Sequence, residues 1–271
     1  MNYLLVDISY VIFYRYFALL QWWKLAKKDT PLPEDPYTCT EFVEKFEKMM
    51  LEALITIKKK LKIHKEPCKV FAARDCPRTE IWRNKYYSAY KEERYKDDSF
   101  MGGSFFKHVY YNDLLKKAGF ENILKFPNLE GDDIAAILKF KIREKYPNKK
   151  IYIITNDHDY LQLMDANTEI INLKYKNLRD NKKVFPEADK NLFYKIVLGD
   201  KSDCISPVFK KCGLKTVEKY YENEELFKEA LNKENVLEKY NLNKKLVSFS
   251  EIPDDLVNGL VEKYYNIFNE L

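Results

Sequence analysis

Disulfide and zinc chemistry are the first things this sequence leaves little room for. Its five cysteines, Cys39, Cys68, Cys76, Cys204 and Cys212, are odd in number and none stands in a C-x-x-C pair. That argues for reduced thiols rather than a disulfide framework or a structural zinc site. The three histidines, His64, His108 and His158, lie far apart in the sequence. His158 has the neighbour of a metal ligand in Asp157, but a lone loop histidine is more commonly structural or exposed. No segment holds about 18 uninterrupted apolar residues, so no membrane span is expected. The apolar start MNYLLVDISYVIFYRYFALLQWW is interrupted by Asp7 and Arg15. It lacks a basic leader and a small-residue cleavage site, so it is not read as a signal peptide. There is no internal repeat and no low-complexity tract. Charge of one sign is not in large excess either: 47 Lys and Arg stand against 42 Asp and Glu, a net of +5. Net charge alone therefore does not identify a nucleic-acid partner. At 271 residues and 46% apolar content, the chain has the size of one large or two small globular domains.

What the sequence does have is a pattern of nine carboxylates: Asp7, Asp75, Glu130, Asp132, Asp133, Asp157, Asp159, Asp200 and Asp203. Most sit where an apolar run ends or a helix begins. Tyr3 to Ile8 and Lys69 to Ala73 read as buried strands, ending near Asp7 and Asp75. Ile151 to Thr155 reads as a third, ending in Asn156-Asp157-His158-Asp159. Thr168 to Leu173 reads as a fourth, and Phe120 to Phe126 holds a shorter one. Helices are expected between them: about 11–20, a stripe from Phe42 to Leu61, 104–117 and 130–145. The last has acids in its first turn and Lys139, Lys141, Arg143 and Lys145 late, as the helix dipole prefers. Strands alternating with helices predict an α/β domain with a mainly parallel sheet, whose ligands gather at the carboxyl ends of the strands. From about residue 187 the pattern is helical to the end.

Each acidic motif has a bland reading. Glu130-x-Asp132-Asp133 suits a helix N-terminus, Asp157-x-Asp159 a turn, and Asp200-x-x-Asp203 a cap. Together they resist it, because so many acids cannot share a site without cations. Oxygen-only donors suit Mg²⁺ or Mn²⁺. Two such ions about 3.5–4 Å apart would neutralise the acids, activate a water and stabilise a leaving oxygen, with a phosphodiester as substrate. A cationic complement lies at 78–96, where Arg78, Arg83, Lys85, Lys91, Arg94 and Lys96 interleave with Trp82, Tyr86, Tyr87, Tyr90 and Tyr95. Such a segment can neutralise phosphates and stack on bases; its bland reading is a solvated amphipathic helix. Lys91 is the best candidate for an electrostatic role at the scissile phosphate. A third element runs from Gly199 through Lys210, Lys211, Gly213, Lys215 and Thr216. A turn whose amides meet a phosphate at a helix N-terminus would read duplex backbone without sequence preference.

On these residues the chain resembles the flap endonuclease / 5′-nuclease superfamily, and within it the RNase H enzymes of T-even bacteriophages. The matching pieces run in order over nearly the whole chain: LLVDIS, the Asp75 segment, IWRNKYYSAYKEER, LEGDDIAA, IITNDHDYLQL, VLGDKSDCI and KLVSFSEIPDDLVNGLVEKYY. The resemblance implies a PIN-like catalytic domain over 1–186, with a helical arch region at 77–106. It implies a helical DNA-binding region with a helix-three-turn-helix element over 187–271. It implies two Mg²⁺ or Mn²⁺ ions, the first held by Asp7, Asp75, Glu130 and Asp132 and the second by Asp157, Asp159 and Asp200. Asp133 and Asp203 would support through water. Lys91 and Arg94 would contact the scissile phosphate, with Arg83, Tyr90, Lys210, Lys211, Gly213, Lys215 and Thr216 on the DNA.

The family's DNA-binding turn is glycine-rich, of the form G-V-x-G-I-G-x-K-T. Here it reads P-V-F-K-K-C-G-L-K-T, and Lys210 and Lys211 supply charge in place of close backbone approach. The expected activity is metal-dependent 5′→3′ cutting of branched, nicked, gapped or RNA-primed DNA, including RNA–DNA hybrid, during replication or repair. A monomer is expected, in the cytoplasm or a viral replication compartment, with a single-strand-binding protein or clamp as candidate partners. Two rivals are a PIN-type ribonuclease on single-stranded RNA and a catalytically dead DNA-binding scaffold. A haloacid-dehalogenase-type phosphatase needs a second Asp two residues after Asp7, and Ser9 stands there.

Overall fold

The computed structural model describes residues 1–95 and 100–271, with the side chains of Arg94 and Tyr95 outside that set. The expected phosphate contact Arg94, and Tyr95 and Lys96 of the basic–aromatic segment, therefore lie outside the described side chains.

The core of the molecule is a five-stranded, wholly parallel sheet of order β3-β2-β1-β4-β5. β1 (Asn2–Asp7), β2 (Cys68–Ala73), β3 (Asn122–Leu124), β4 (Ile151–Ile154) and β5 (Thr168–Ile171) are short and rich in Val, Ile, Leu and Phe. Strands covered on both faces need apolar residues at every position, not alternate ones. β1 meets this: Tyr3 and Leu5 face one cluster, Leu4 and Val6 the other, all at most 1% exposed.

α1 (Ile8–Ala26), α2 (Thr40–Lys60) and α3 (Gly103–Tyr111) cover one face of the sheet, with Val11, Leu19, Phe42, Phe46 and Phe105 in its core. The stripe expected on α2 is that core contact. α4 (Leu114–Lys117) is separate from α3, because Asp113 takes a left-handed conformation (φ 54°) that breaks the expected 104–117 helix. α5 (Gly131–Lys145) covers the other face through Ile134, Leu138 and Ile142.

Beyond β5 the chain is helical. α6 (Ala188–Leu198), α7 (Leu214–Glu222) and α8 (Glu224–Lys233) share a small core of Val197, Phe209, Val217 and Phe227. After α9 (Leu237–Val247), Phe249 and Ile252 return to the α5 side of the sheet. α10 (Asp254–Lys263) and α11 (Tyr265–Asn269) complete that side with Leu256, Leu260 and Phe268. Among the described residues, no helix is long and apolar enough to cross a membrane.

This topology places the acids. β1 is the central strand, and β2 and β4 flank it, so the chain leaves their carboxyl ends side by side. Ligands of parallel sheets bind at this edge, where the strand order changes direction. Asp7 ends β1, Asp75 follows β2 by two residues, and Asp157 follows β4 by three.

Candidate active site

The acids reach the edge because each also closes a local element. Asp7 caps α1, its Oδ1 accepting from the Tyr10 N–H at 2.9 Å, while Oδ2 accepts from Thr155 Oγ1 at 2.9 Å. Glu130 caps α5 in a reciprocal capping box with Asp133. Asp157 caps the 3₁₀ turn His158–Leu163, and Asp200 caps the turn Lys201–Asp203. The bland reading of these motifs is thus correct as far as it goes. Capping uses one oxygen of a carboxylate and leaves the rest of its lone pairs for other work.

Two glycines set the spacing. Gly131 donates its N–H to Asp75 Oδ1 at 2.6 Å, and a Cβ there would come within 3.1 Å of that oxygen. The start of α5 is thereby held against the end of β2. Gly199 (φ 73°) turns the chain before Asp200, where a Cβ would meet the Ile205 carbonyl at 2.3 Å. The paired bonds Asp200 N to Ile205 O, 2.8 Å, and Ile205 N to Asp200 O, 2.7 Å, then close the loop that carries Asp200 and Asp203.

Glu130, Asp132 and Asp133 form one close group of acids, and Asp159, Asp200 and Asp203 a second; within each, ligand oxygens approach within 4.8 Å. A cleft of about 930 Å³ opens beside the first group, lined by Asp7, Asp75, Glu130, Asp132 and Asp157 together with Lys91. Its further wall carries Arg74, whose guanidinium lies 3.5 Å from the centre of the Tyr110 ring.

The internal cations are unevenly shared. Arg83 donates through Nη1 and Nη2 to Asp133 at 2.9 and 2.7 Å, and through Nη1 to Glu130 at 3.0 Å. Trp82 Nε1 also donates to Asp133, at 3.0 Å. Lys91 Nζ lies 2.6 Å from Glu130 Oε1 and 3.8 Å from Asp203 Oδ2, so one ammonium touches both acid groups. Lys91 is held there by a left-handed backbone (φ 57°) and by its N–H bond to the Asp203 carbonyl at 3.1 Å. Lys195, on α6, pairs with Asp159 and with Asp200 Oδ2, the latter at 2.7 Å.

These contacts correct three expectations. Arg83 and Tyr90 were placed on the DNA, but they are 2% and 3% exposed and are spent on the acids; Tyr90 donates to Glu130 at 3.2 Å. Asp133 was counted with the metal-supporting acids, yet it is fully buried and taken up by Arg83, Trp82 and the Glu130 N–H. It anchors the group and leaves Glu130 and Asp132 to face the cleft. Lys91, expected on an arch, reaches inward to the acids. Of the expected duplex contacts, Lys210, Lys211, Gly213 and Lys215 are exposed and Thr216 half-buried, at the start of α7. Lys195, Arg74, Ser9 and Thr155 were missed as site residues. The only sequence signal for Arg74 and Ser9 is their nearness to Asp75 and Asp7.

The electrostatics leave room for cations. Burial, then the neighbouring Asp75, pushes the Asp7 carboxyl up to about 7. Asp75 is exposed at the cleft surface by area, yet it is walled by protein, and burial raises its carboxyl too. Asp132 is driven well above the carboxylate range by burial and by Glu130. Against the cost of burial, Lys91 and Arg83 hold Glu130 low. Charge that can only be relieved by protonation is charge a metal ion would relieve. The acidic donors facing the cleft are carboxylates, joined by the hydroxyls of Ser9, Thr155 and Tyr160, and such oxygens suit a hard divalent ion. The Tyr160 hydroxyl, in a side chain 1% exposed at the same cleft, has no hydrogen-bond partner among the described residues. A hydrated ion would give it one. The residues present therefore fit a divalent metal.

Residues 2–189 match the family model of the 5′-3′ exonuclease, N-terminal resolvase-like domain. The chain belongs to that family, within the flap endonuclease / 5′-nuclease superfamily. It is similar to DNA polymerase I of Lactococcus lactis, from strains IL1403 and MG1363, at 26% identity over 191 residues and 64% of its own length. It spans about a fifth (21%) of the length of those curated relatives. Its fold is that of the T5 D15 protein crystallised with metal ions: TM-score 0.64, 14% identity, covering 100% of this chain and 96% of the other. A complex of bacteriophage T5 flap endonuclease with DNA and metal ions is similar to the same degree, with TM-score 0.64, 15% identity, and 99% and 100% of the two chains covered.

Proposed function

We propose that this chain is a divalent-metal-dependent 5′→3′ exonuclease and flap endonuclease. It hydrolyses phosphodiesters in nicked, branched or RNA-primed DNA, as in primer removal. The observation that carries this reading is convergence. Acids from four separate stretches of chain line one cleft at the sheet edge, Lys91 ties them to a second group holding Asp200 and Asp203, and Arg83, Lys91 and Lys195 are cations paired with these acids. The fold shared with a T5 enzyme crystallised with DNA and metal ions supports it.

In this reading Asp7, Asp75, Glu130 and Asp132 hold one ion, Mg²⁺ or Mn²⁺, and Asp157, Asp159 and Asp200 hold a second. Bound there, the ions would neutralise the acids, lower the pKa of the attacking water and stabilise the departing oxygen. The protein's own groups do the rest. Asp133, locked by Arg83, fixes the start of α5 and so aims Glu130 and Asp132 at the cleft. Lys91 supplies positive charge to a non-bridging phosphate oxygen, leaving Glu130 as it does so. Lys210, Lys211 and Lys215, with the amides at the start of α7, hold duplex phosphates and keep the scissile bond in register. No contact in this set reads a base, so selection follows the shape of the substrate.

The test is a cleavage assay with Mg²⁺, with and without excess EDTA. The substrates are a 5′-flap duplex, an RNA-primed duplex and single-stranded RNA, each labelled at the 5′ end. Metal-dependent release of short 5′ products from the first two is expected. Cutting of single-stranded RNA alone would replace this reading with a PIN-type ribonuclease, and binding without cutting would leave a scaffold.

A further inference from the structure

We propose that Lys195 is a built-in counter-ion of the second acid group, so that a divalent ion gains that group only by displacing its ammonium. This rests on the two-ion reading above. Lys195 projects from the last turn of α6, just before Gly199 and the loop of Asp200 and Asp203. Its Nζ contacts Asp159 and lies 2.7 Å from Asp200 Oδ2. Two members of the close group Asp159, Asp200 and Asp203 thus already share one positive charge, set where a metal ion would be held.

The cations of the two groups differ in how firmly they are held. On the first group, Arg83 is 2% exposed and fixed by a fork of bonds in three directions. Lys91 is 9% exposed and tied at its backbone to Asp203. Lys195 has a side chain 20% exposed, on a helix surface, and its Nζ is held only by carboxylates among the described contacts. A lysine is a strongly hydrated point charge on a flexible four-carbon stem, so it can leave for water where a buried guanidinium cannot. Arg83 compensates the first group permanently, whereas the second group's counter-ion Lys195 is exchangeable. An ammonium and a divalent ion cannot occupy the same carboxylate oxygens, so Lys195 lowers the affinity of the second group without abolishing it. A phosphate arriving at the site gives the displaced ammonium a new partner, which makes second-ion binding and substrate binding mutually reinforcing.

The experiment uses Mn²⁺ as probe and the full chain, with binding followed by electron paramagnetic resonance of free Mn²⁺ and by calorimetry. Wild type is expected to bind Mn²⁺ in two classes. Lys195→Met removes the charge and keeps the length of the side chain. It should tighten the weaker class by about tenfold, the size expected from removing one adjacent like charge at a partly exposed site, and leave the tighter class within about twofold. The metal-free variant should melt below wild type, and saturating Mn²⁺ should raise its melting temperature by more. The tighter class reports that the protein is folded; Lys195→Gln is the second variant if the methionine form is not. A weaker class that is unchanged or loosened in a folded variant overturns the proposal and makes Lys195 an orienting residue. If wild type binds no Mn²⁺ at millimolar concentration, the two-ion reading itself falls, a result distinct from the first.

Discussion

The Nε of Arg83 donates to the backbone carbonyl of Leu246 at 2.7 Å, joining residues 163 positions apart. The other nitrogens of the same guanidinium hold Asp133 and Glu130, so the end of α9 and the start of α5 share one cation. Removing it leaves Asp133, fully buried, as an unpaired charge. Arg83→Met should lower unfolding free energy by about 3–5 kcal/mol in urea titration. Arg83→Lys should recover only part, since one ammonium cannot reproduce the fork. A near-neutral Arg83→Met would mean that the Arg83 clamp does not stabilise the fold.

Lys91 combines a charge at the acids with a backbone that L-residues rarely adopt, φ 57°. Lys91→Ala should cut turnover by about 10²–10³-fold and change duplex affinity far less, as expected of a group acting on developing charge. Lys91→Gly removes the same charge but suits the backbone. It should be more stable than Lys91→Ala by roughly 0.5–1 kcal/mol, with equally poor turnover. Equal losses in rate and binding would reduce Lys91 to a phosphate anchor.

Gly199→Ala is predicted to be costly for a position outside the core. A Cβ there meets the Ile205 carbonyl at 2.3 Å with φ 73°. The expected loss is about 2–4 kcal/mol by thermal or urea unfolding. Mn²⁺ binding by the Asp159–Asp200–Asp203 group should weaken with it. A variant that unfolds like wild type would show that the 199–206 turn can shift without consequence.

Lys210 and Lys211, on the loop before α7, and Lys215, in its first turn, are exposed. If they lie on duplex phosphates, changing all three to alanine should weaken binding equally for unrelated sequences. The slope of log affinity against log salt should fall by about 1 per lysine. The measurement is duplex binding in EDTA across a salt series. An unchanged slope would move the duplex to another face.

Acid sensitivity should be traceable in part to Asp165, far from the cleft. Arg143 reaches it at 3.0 Å through both Nε and Nη2, and Lys139 at 3.2 Å. Against the cost of burial, the Asn167 N–H, Thr168 and Lys139 hold its carboxyl below the usual range. A depressed folded value stabilises above the unfolded value of about 3.9 and is lost as pH falls through the folded one. Asp165→Asn should therefore cost about 1 kcal/mol at neutral pH, a figure discounted because the carboxylate is partly exposed. The gap to wild type should close as pH falls below about 4. A constant gap would assign the effect to packing.

The sheet was largely legible in the sequence because buried parallel strands are written as unbroken Val, Ile, Leu and Phe runs. The runs at 3–8, 69–73, 151–155 and 168–173 match β1, β2, β4 and β5 to within two residues at each end. The acids were legible because each ends such a run or starts a helix. What periodicity could not reveal is where a cation goes. Arg83 and Tyr90 sit in a charged, aromatic segment that reads as surface, yet the acids of α5 draw both inward. Lys195 reads as an ordinary polar residue of α6, and nothing local signals that Asp159, 36 positions earlier, meets it. The break at Asp113 was equally hidden, since a left-handed aspartate leaves no mark on hydrophobic spacing.

The long reach from Arg83 to Leu246 bears on when the proposed nuclease site is assembled. Its acids are drawn from residue 7 to residue 203, and the clamp that steadies two of them closes only on the carbonyl of residue 246. During synthesis the parallel strands can pair early, but the acids lack their last members and their brace until residue 246 has left the ribosome. Under the function proposed above, a nascent chain still short of that residue has an incomplete site, disarmed by the order in which its parts are made.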